Sequence, residues 1–149
     1  MYKKIFVPVD DSAASLKALE EACKIAEFSK AALRAVHVVD LAQFSWGGTG
    51  YLQSAEIHQA SKEVGEKVLA HANTIIAGHG LTAEVEILES VGDKIATLLA
   101  TDAKDNGCDL IVMGTHGWTG VMHLLMGSVA EGVLRQVDMP VMLVRKKAE

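Results

Sequence analysis

Short apolar runs alternate along this chain with longer segments in which apolar residues recur every three or four positions, a pattern that predicts strands alternating with helices. Lys4-Ile-Phe-Val-Pro-Val9 is the first run, and Pro8 marks where its ladder ends. Leu16, Leu19, Cys23 and Ala26 then define a helical face, with Ser12 placed to cap it and a stop between residues 28 and 31. Residues 33–39 read as a second buried strand. Residues 54–76 read as a long amphipathic helix whose stripe includes Ile57, Val64, Val68, Leu69 and Ile75; Gly65 weakens it locally and Gly78-His-Gly80 supplies its stop. Residues 81–88 alternate in part, as an edge strand does. A helix over 93–106 with Ile95, Leu98 and Leu99 on one face, a strand over 108–113, a helix over 129–136 interrupted by Gly132, and a strand at Val141–Val144 complete the series.

Five strands and four helical segments, with no linker or internal repeat, predict one three-layer α/β domain over residues 1–149 with an open, mostly parallel sheet. Ligand chemistry in such a sheet gathers beyond the carboxyl ends of the strands. Residues 40–53 are less regular. Their glycines permit sharp turns, and Phe44, Trp46 and Tyr51 either cover the scaffold or a subunit contact, or form a flap over a ligand.

Composition narrows the partners. Hydrophobic residues make up 50% and charged residues 22% of 149 residues, which excludes a largely disordered chain, and the net charge of −5 offers no basic field to nucleic acid or an anionic membrane. The first residues do not read as a signal peptide, and no stretch approaches the roughly 20 apolar residues of a membrane span. Cys23 and Cys108 read as reduced, partly buried thiols, consistent with a cytoplasmic protein.

The candidate chemistry lies after the apolar run Leu110-Ile-Val-Met113, where Gly114-Thr-His-Gly117 leads through nine residues to Gly127-Ser128 and a helix. Glycines at a strand exit and a helix entrance let backbone amides face an anion, and Ser128 adds a hydroxyl. The stretch is not the GxxxxGK[ST] loop, since no lysine stands near Gly120 or Gly127. Asp10, at the exit of the first strand, is either a helix-capping or turn carboxylate or an acceptor for an adenine amino group or a ribose hydroxyl. Val38 is either a core valine or a wall for an adenine ring that also orients backbone groups toward its edge. His116 and His123 are loop histidines able to reach phosphate only if turned inward, Trp118 covers either a ligand or a neighbouring subunit, and Met122 and Met126 fill apolar space. Gly78-His-Gly80-Leu-Thr-Ala83 fits GxGxxG/A but lies between a helix and a strand, the reverse of the dinucleotide-binding order. No metal cluster and no catalytic residue can be assembled from spacing.

These features together resemble the universal stress protein family, in its ATP-binding branch. Val7-Pro-Val-Asp10, His37-Val-Val-Asp40, and Asp109 to Gly117 leading into Gly127-Ser128 carry the resemblance, which covers nearly the whole chain, and the last matches the family's G-x2-G-x9-G-S/T motif. The resemblance implies an adenine-nucleotide-hydrolase-like sheet of strand order 3-2-1-4-5. It implies that Asp10 and Val38 bind adenosine beside Pro8 and Met113, and that Gly114, Gly117, Gly127, Ser128 and Val129 hold the ribose and triphosphate. It further implies ATP as the ligand and a homodimer through Val141–Val144; a triphosphate would arrive with Mg²⁺ bound mainly through its phosphates. Asp11 stands where the family often has glycine and adds a carboxylate to the pocket. The functional expectation is an ATP-binding stress-response regulator acting through conformation or dimer state; a slow Mg-dependent ATPase and a nucleotide-independent dimeric scaffold are the alternatives. A phosphoryl-receiver domain, suggested by Asp10-Asp11 alone, lacks an acceptor aspartate after the third strand, where Ile87-Leu-Glu-Ser stands.

Overall fold

Ile5, Phe6 and Val7 are fully buried one after another, which requires a strand covered on both faces. In the computed structural model, which describes residues 1–41, 54–92, 94–117 and 126–146, this strand is β1 (Lys4–Pro8), at the centre of a five-stranded parallel sheet. The other elements follow in chain order as α1 (Ala13–Ser29), β2 (Ala32–Asp40), α2 (Ser54–Gly78), β3 (Ala83–Ser90), α3 (Ile95–Asp105), β4 (Leu110–Gly114), α4 (Ser128–Gln136) and β5 (Val141–Val144). The sheet order is β3-β2-β1-β4-β5, as the resemblance implies. Every adjacent pair is parallel, with Ile5 opposite both Leu33 and Leu110.

Alternation along each strand divides the core in two. Ile5, Val7, Leu33, Ala35, Leu110 and Val112 face α1 and α2, whereas Phe6, Val36, Ile111 and Met113 face α3 and α4. Ser12 caps α1, its hydroxyl accepting the Ser15 N–H at 3.2 Å. At the far end of α2, the His79 imidazole reaches Glu20 and Glu27 of α1 at 2.6 and 3.1 Å, and the bond to Glu20, followed by that to Glu27, keeps it protonated to higher pH than a free histidine.

The amino end of the sheet holds a charge pair that the apolar reading of β2 misses. Arg34 is only 7% exposed, and its guanidinium donates in bidentate fashion to Asp102 of α3 at 2.7 and 2.8 Å. Glu84 of β3 lies 3.4 Å from the same guanidinium and 2.9 Å from Lys4 Nζ, so β1, β2, β3 and α3 are tied at one level.

Other details differ from the sequence reading. Gly132 does not interrupt the last helix, which runs through it; a Cβ there would come within 2.6 Å of Ala96 Cβ, so the glycine is the point of close approach between α3 and α4. Val64 is 44% exposed and the buried stripe of α2 passes instead through Val68, Leu69, Ala72 and Ile76. Cys108 precedes β4 rather than belonging to it. Cys23 and Cys108 are both buried and unpaired, and burial, the largest cause for each, pushes both thiols up to about 11, which leaves them poor nucleophiles. Phe44, Trp46, Tyr51, Trp118, Met122 and His123 lie outside the described residues. Met126 packs against the α3/α4 core.

Candidate functional site

The strand order reverses at β1. The chain leaves β1 for α1 on one face of the sheet and leaves β4 for α4 on the other, so neighbouring strands send their exits apart and a crevice opens at their carboxyl ends. A cleft of about 740 Å³ occupies that place, within the roughly 300–1,000 Å³ usual for small-molecule sites. All nine residues singled out from the sequence line it: Pro8, Asp10, Val38, Met113, Gly114, Gly117, Gly127, Ser128 and Val129.

Backbone constraints build the β1 side. Pro8 carries no N–H, and Val9 makes the next rung by donating to the Val36 carbonyl at 2.8 Å. Because successive residues of a strand direct their polar groups to opposite sides, Val38 sends its N–H and C=O the same way as Val36, toward the line of β1 as that strand ends. An acceptor and a donor side by side there suit the edge of a purine. His37 completes this corner. Its Nδ1 lies 2.7 Å from the Val9 carbonyl, and since a carbonyl only accepts, Nδ1 carries the proton of that bond. Sequence reasoning passed over His37 as a site residue; its place at the end of a strand, one residue before Val38, was the available signal.

Asp10 is held at the lip by its own backbone. Its N–H donates to Ser15 Oγ at 3.0 Å and its Oδ1 accepts the Ser12 N–H at 2.9 Å, which aims the carboxylate across the crevice. There Gly117 meets it: a Cβ on Gly117 would lie 2.7 Å from Asp10 Oδ2. Asp11 follows in the left-handed region with φ of 61°, a conformation that explains why glycine suits the position and that aspartate tolerates better than most residues. Its carboxylate is 2.9 Å from His71 Nδ1 of α2.

The β4 side is a close-packed turn. Gly114 passes so near the start of α1 that a Cβ would meet the Ala14 carbonyl carbon and Cβ, both at 2.9 Å. Thr115 is pinned on both sides, its N–H donating to the Val144 carbonyl at 3.0 Å and its own carbonyl accepting the Gly127 N–H at 2.7 Å. The first bond ties the turn to β5, and the second brings the ends of the Gly114–Gly127 segment together. Gly127 is the N-cap of α4 and supplies no capping side chain, so the N–H groups of the first turn, with Ser128 and Val129 on the cleft, remain directed at whatever lies in front of them. His116 also lines the cleft. Its Nδ1 is 3.1 Å from Thr115 Oγ1, and its Nε2 is buried with no partner among the described residues.

Ile95 and Leu99 of α3, Val64 and Val68 of α2, and Met113 give the cleft apolar walls. The arrangement therefore pairs an apolar slot with backbone donors at a helix entrance and a carboxylate suited to hydroxyl or amino groups. No group of three or more metal-ligating side chains occurs among the described residues.

The sequence profile of the universal stress protein family matches residues 1–145. A universal stress protein of Methanocaldococcus jannaschii is 37% identical over 147 residues, covering 98% of this chain and 84% of that protein. Among solved structures, a universal stress protein family member from Burkholderia pseudomallei superposes with a TM-score of 0.75 at 31% identity over 96% of each chain. A universal stress protein crystallised in complex with cAMP superposes with a TM-score of 0.71 at 25% identity, covering 98% of this chain and 99% of that one. With its cleft at the switch point of a 3-2-1-4-5 sheet and its sequence matched almost end to end, this chain belongs to the universal stress protein family.

Proposed function

We propose that this protein is a stress-response regulator that binds an adenine nucleotide, ATP with Mg²⁺ in the first instance, and responds through its conformation or its dimer state. The observation that carries the proposal is the convergence of Asp10, the Val38 backbone, Gly114, Gly117 and residues 127–129 on one cleft of nucleotide size. The related protein that holds cAMP at 25% identity supports an adenine ligand. Within the cleft Asp10 accepts from the adenosine portion, Val38 presents its backbone to the base, and the first turn of α4 with Ser128 donates to phosphate. Binding is the supported activity; turnover would require a positioned water and charge compensation at the transferring phosphoryl group, and none of the residues above is assigned to either.

Calorimetric titration of nucleotide-free protein with ATP and Mg²⁺ tests the reading against Gly127→Val. The added side chain begins 3.0 Å from the Thr115 carbonyl and crowds the entrance of α4, so we expect affinity to fall by about 100-fold, or roughly 2.7 kcal/mol, with the thermal transition retained. Absence of binding by the unmodified protein would leave a nucleotide-independent scaffold as the function.

The dimer is proposed through β5. Among the described residues this four-residue strand pairs only with β4 and lies at the edge of the sheet, and Met142 is 40% exposed on it. Sedimentation is expected to find a dimer that Met142→Lys converts to monomer without loss of fold. Val144 is unsuitable for that test because it is buried in the α1/α2 core. A purely monomeric protein across working concentrations would dispose of the interface.

A further inference from the structure

β1 and β2 stop pairing where one more rung was open to them. The last paired residues are Pro8 and Val36, and Val9 still donates to the Val36 carbonyl at 2.8 Å. A parallel ladder continues two residues further along, so the Val38 N–H would donate to the Val9 carbonyl and the Asp11 N–H to the Val38 carbonyl. Neither bond forms among the described residues. The Val9 carbonyl is taken instead by His37 Nδ1 at 2.7 Å, from a side chain only 8% exposed. The chain then leaves the line of β1 at Asp11, where φ is 61°.

Backbone groups inside a protein are nearly always paired, and a strand end with an acceptor in reach ordinarily uses it. Here a side chain competes for that acceptor, as side-chain bonds to the backbone do elsewhere, and the Val38 N–H is left facing the cleft that Val38 lines. We propose that His37 is a positioning residue that ends the β1–β2 ladder and so keeps the Val38 N–H for the base of the ligand. It acts by occupying the carbonyl that would otherwise consume this donor. The inference rests on the adenine-nucleotide reading of the same cleft and adds how its base-binding edge is made. An apolar side chain at position 37 releases the Val9 carbonyl, the Val38 N–H closes onto it, and the fold gains a rung while the base loses its donor.

Amide hydrogen exchange read by NMR on the full chain, together with calorimetric titration of AMP, tests this. In the unmodified protein without nucleotide, the Val38 amide is expected to exchange at least about tenfold faster than that of Val36, and AMP to slow it by at least about tenfold. In His37→Leu the Val38 amide should already be slow without nucleotide, and AMP should bind at least about tenfold more weakly. His37→Asn, whose Nδ2–H can hold the same carbonyl, should stay within about threefold of the unmodified protein in both measurements. A His37→Leu variant whose Val38 amide stays fast, or whose affinity is unchanged, would overturn the proposal. Where that variant does not fold, the unmodified protein decides: a Val38 amide as slow as that of Val36, or one that bound AMP leaves unaltered, overturns the proposal while nucleotide binding stands. A protein that binds neither AMP nor ATP brings down both.

Discussion

Asp102→Ala is expected to lower stability by about 3–5 kcal/mol, because it leaves the Arg34 guanidinium in the protein interior without its bidentate partner. The Arg34 side chain is 8% exposed and that of Asp102 12%, so water does not readily replace the lost carboxylate, and Glu84 at 3.4 Å is too distant and too exposed to take over. For a chain of this size the loss corresponds to a fall of roughly 10 °C in Tm. The double variant Arg34→Met, Asp102→Leu should recover most of it, since replacing both members of a buried pair by apolar groups of similar volume is often neutral. Urea or thermal unfolding reads both values. A single variant within about 1 kcal/mol of the unmodified protein would mean that the charge finds water or another partner.

Gly114→Val is the second large effect, and it strikes fold and cleft together. Its Cβ would fall 2.9 Å from two atoms of Ala14 and 3.1 Å from the Ser15 nitrogen, and these are backbone or short side-chain atoms that cannot swing away. The start of α1 must move off β4, at a cost of about 3 kcal/mol by comparison with other overpacked cores. The same movement displaces Ser12 and Ser15, the two residues whose hydrogen bonds orient Asp10. We therefore expect a lowered Tm and, at temperatures where the variant remains folded, at least about tenfold weaker nucleotide binding. Lowered stability with unchanged affinity would show that Asp10 is held independently of α1.

The sheet was legible in the sequence because a parallel strand buried on both faces appears as an uninterrupted apolar run, as at residues 5–7 and 110–113. Boundaries slipped where that signal thins. Residues 81–88 were expected as a strand, but the observed β3 is shifted to Ala83–Ser90, because a partly exposed edge strand carries a weaker apolar pattern. Gly132 was misread since helix propensity penalises glycine, while tertiary packing required a residue without a side chain against Ala96. Asp10, Gly114, Gly117, Gly127 and Ser128 were legible as glycines and polar residues at strand exits, where topology brings them together, whereas Met113 and Val129 rested on the family resemblance. Arg34 and His37 were not, because their partners, Asp102 and the Val9 carbonyl, lie 68 and 28 residues away in the chain. An interior arginine inside an apolar run was a signal in itself, since burying a charge demands a counter-charge from some other element.

The ionic row and the cleft occupy opposite ends of the same strands. Arg34 and Val38 are four residues apart on β2, a span of about 13 Å with rigid sheet between them. Effects that far apart, sharing no partner, add rather than interfere. The carboxyl-end loops can therefore diversify without drawing on the tether that secures the opposite end, and substitutions that retune ligand preference are separable, in selection as in the laboratory, from those that set how long the folded chain survives.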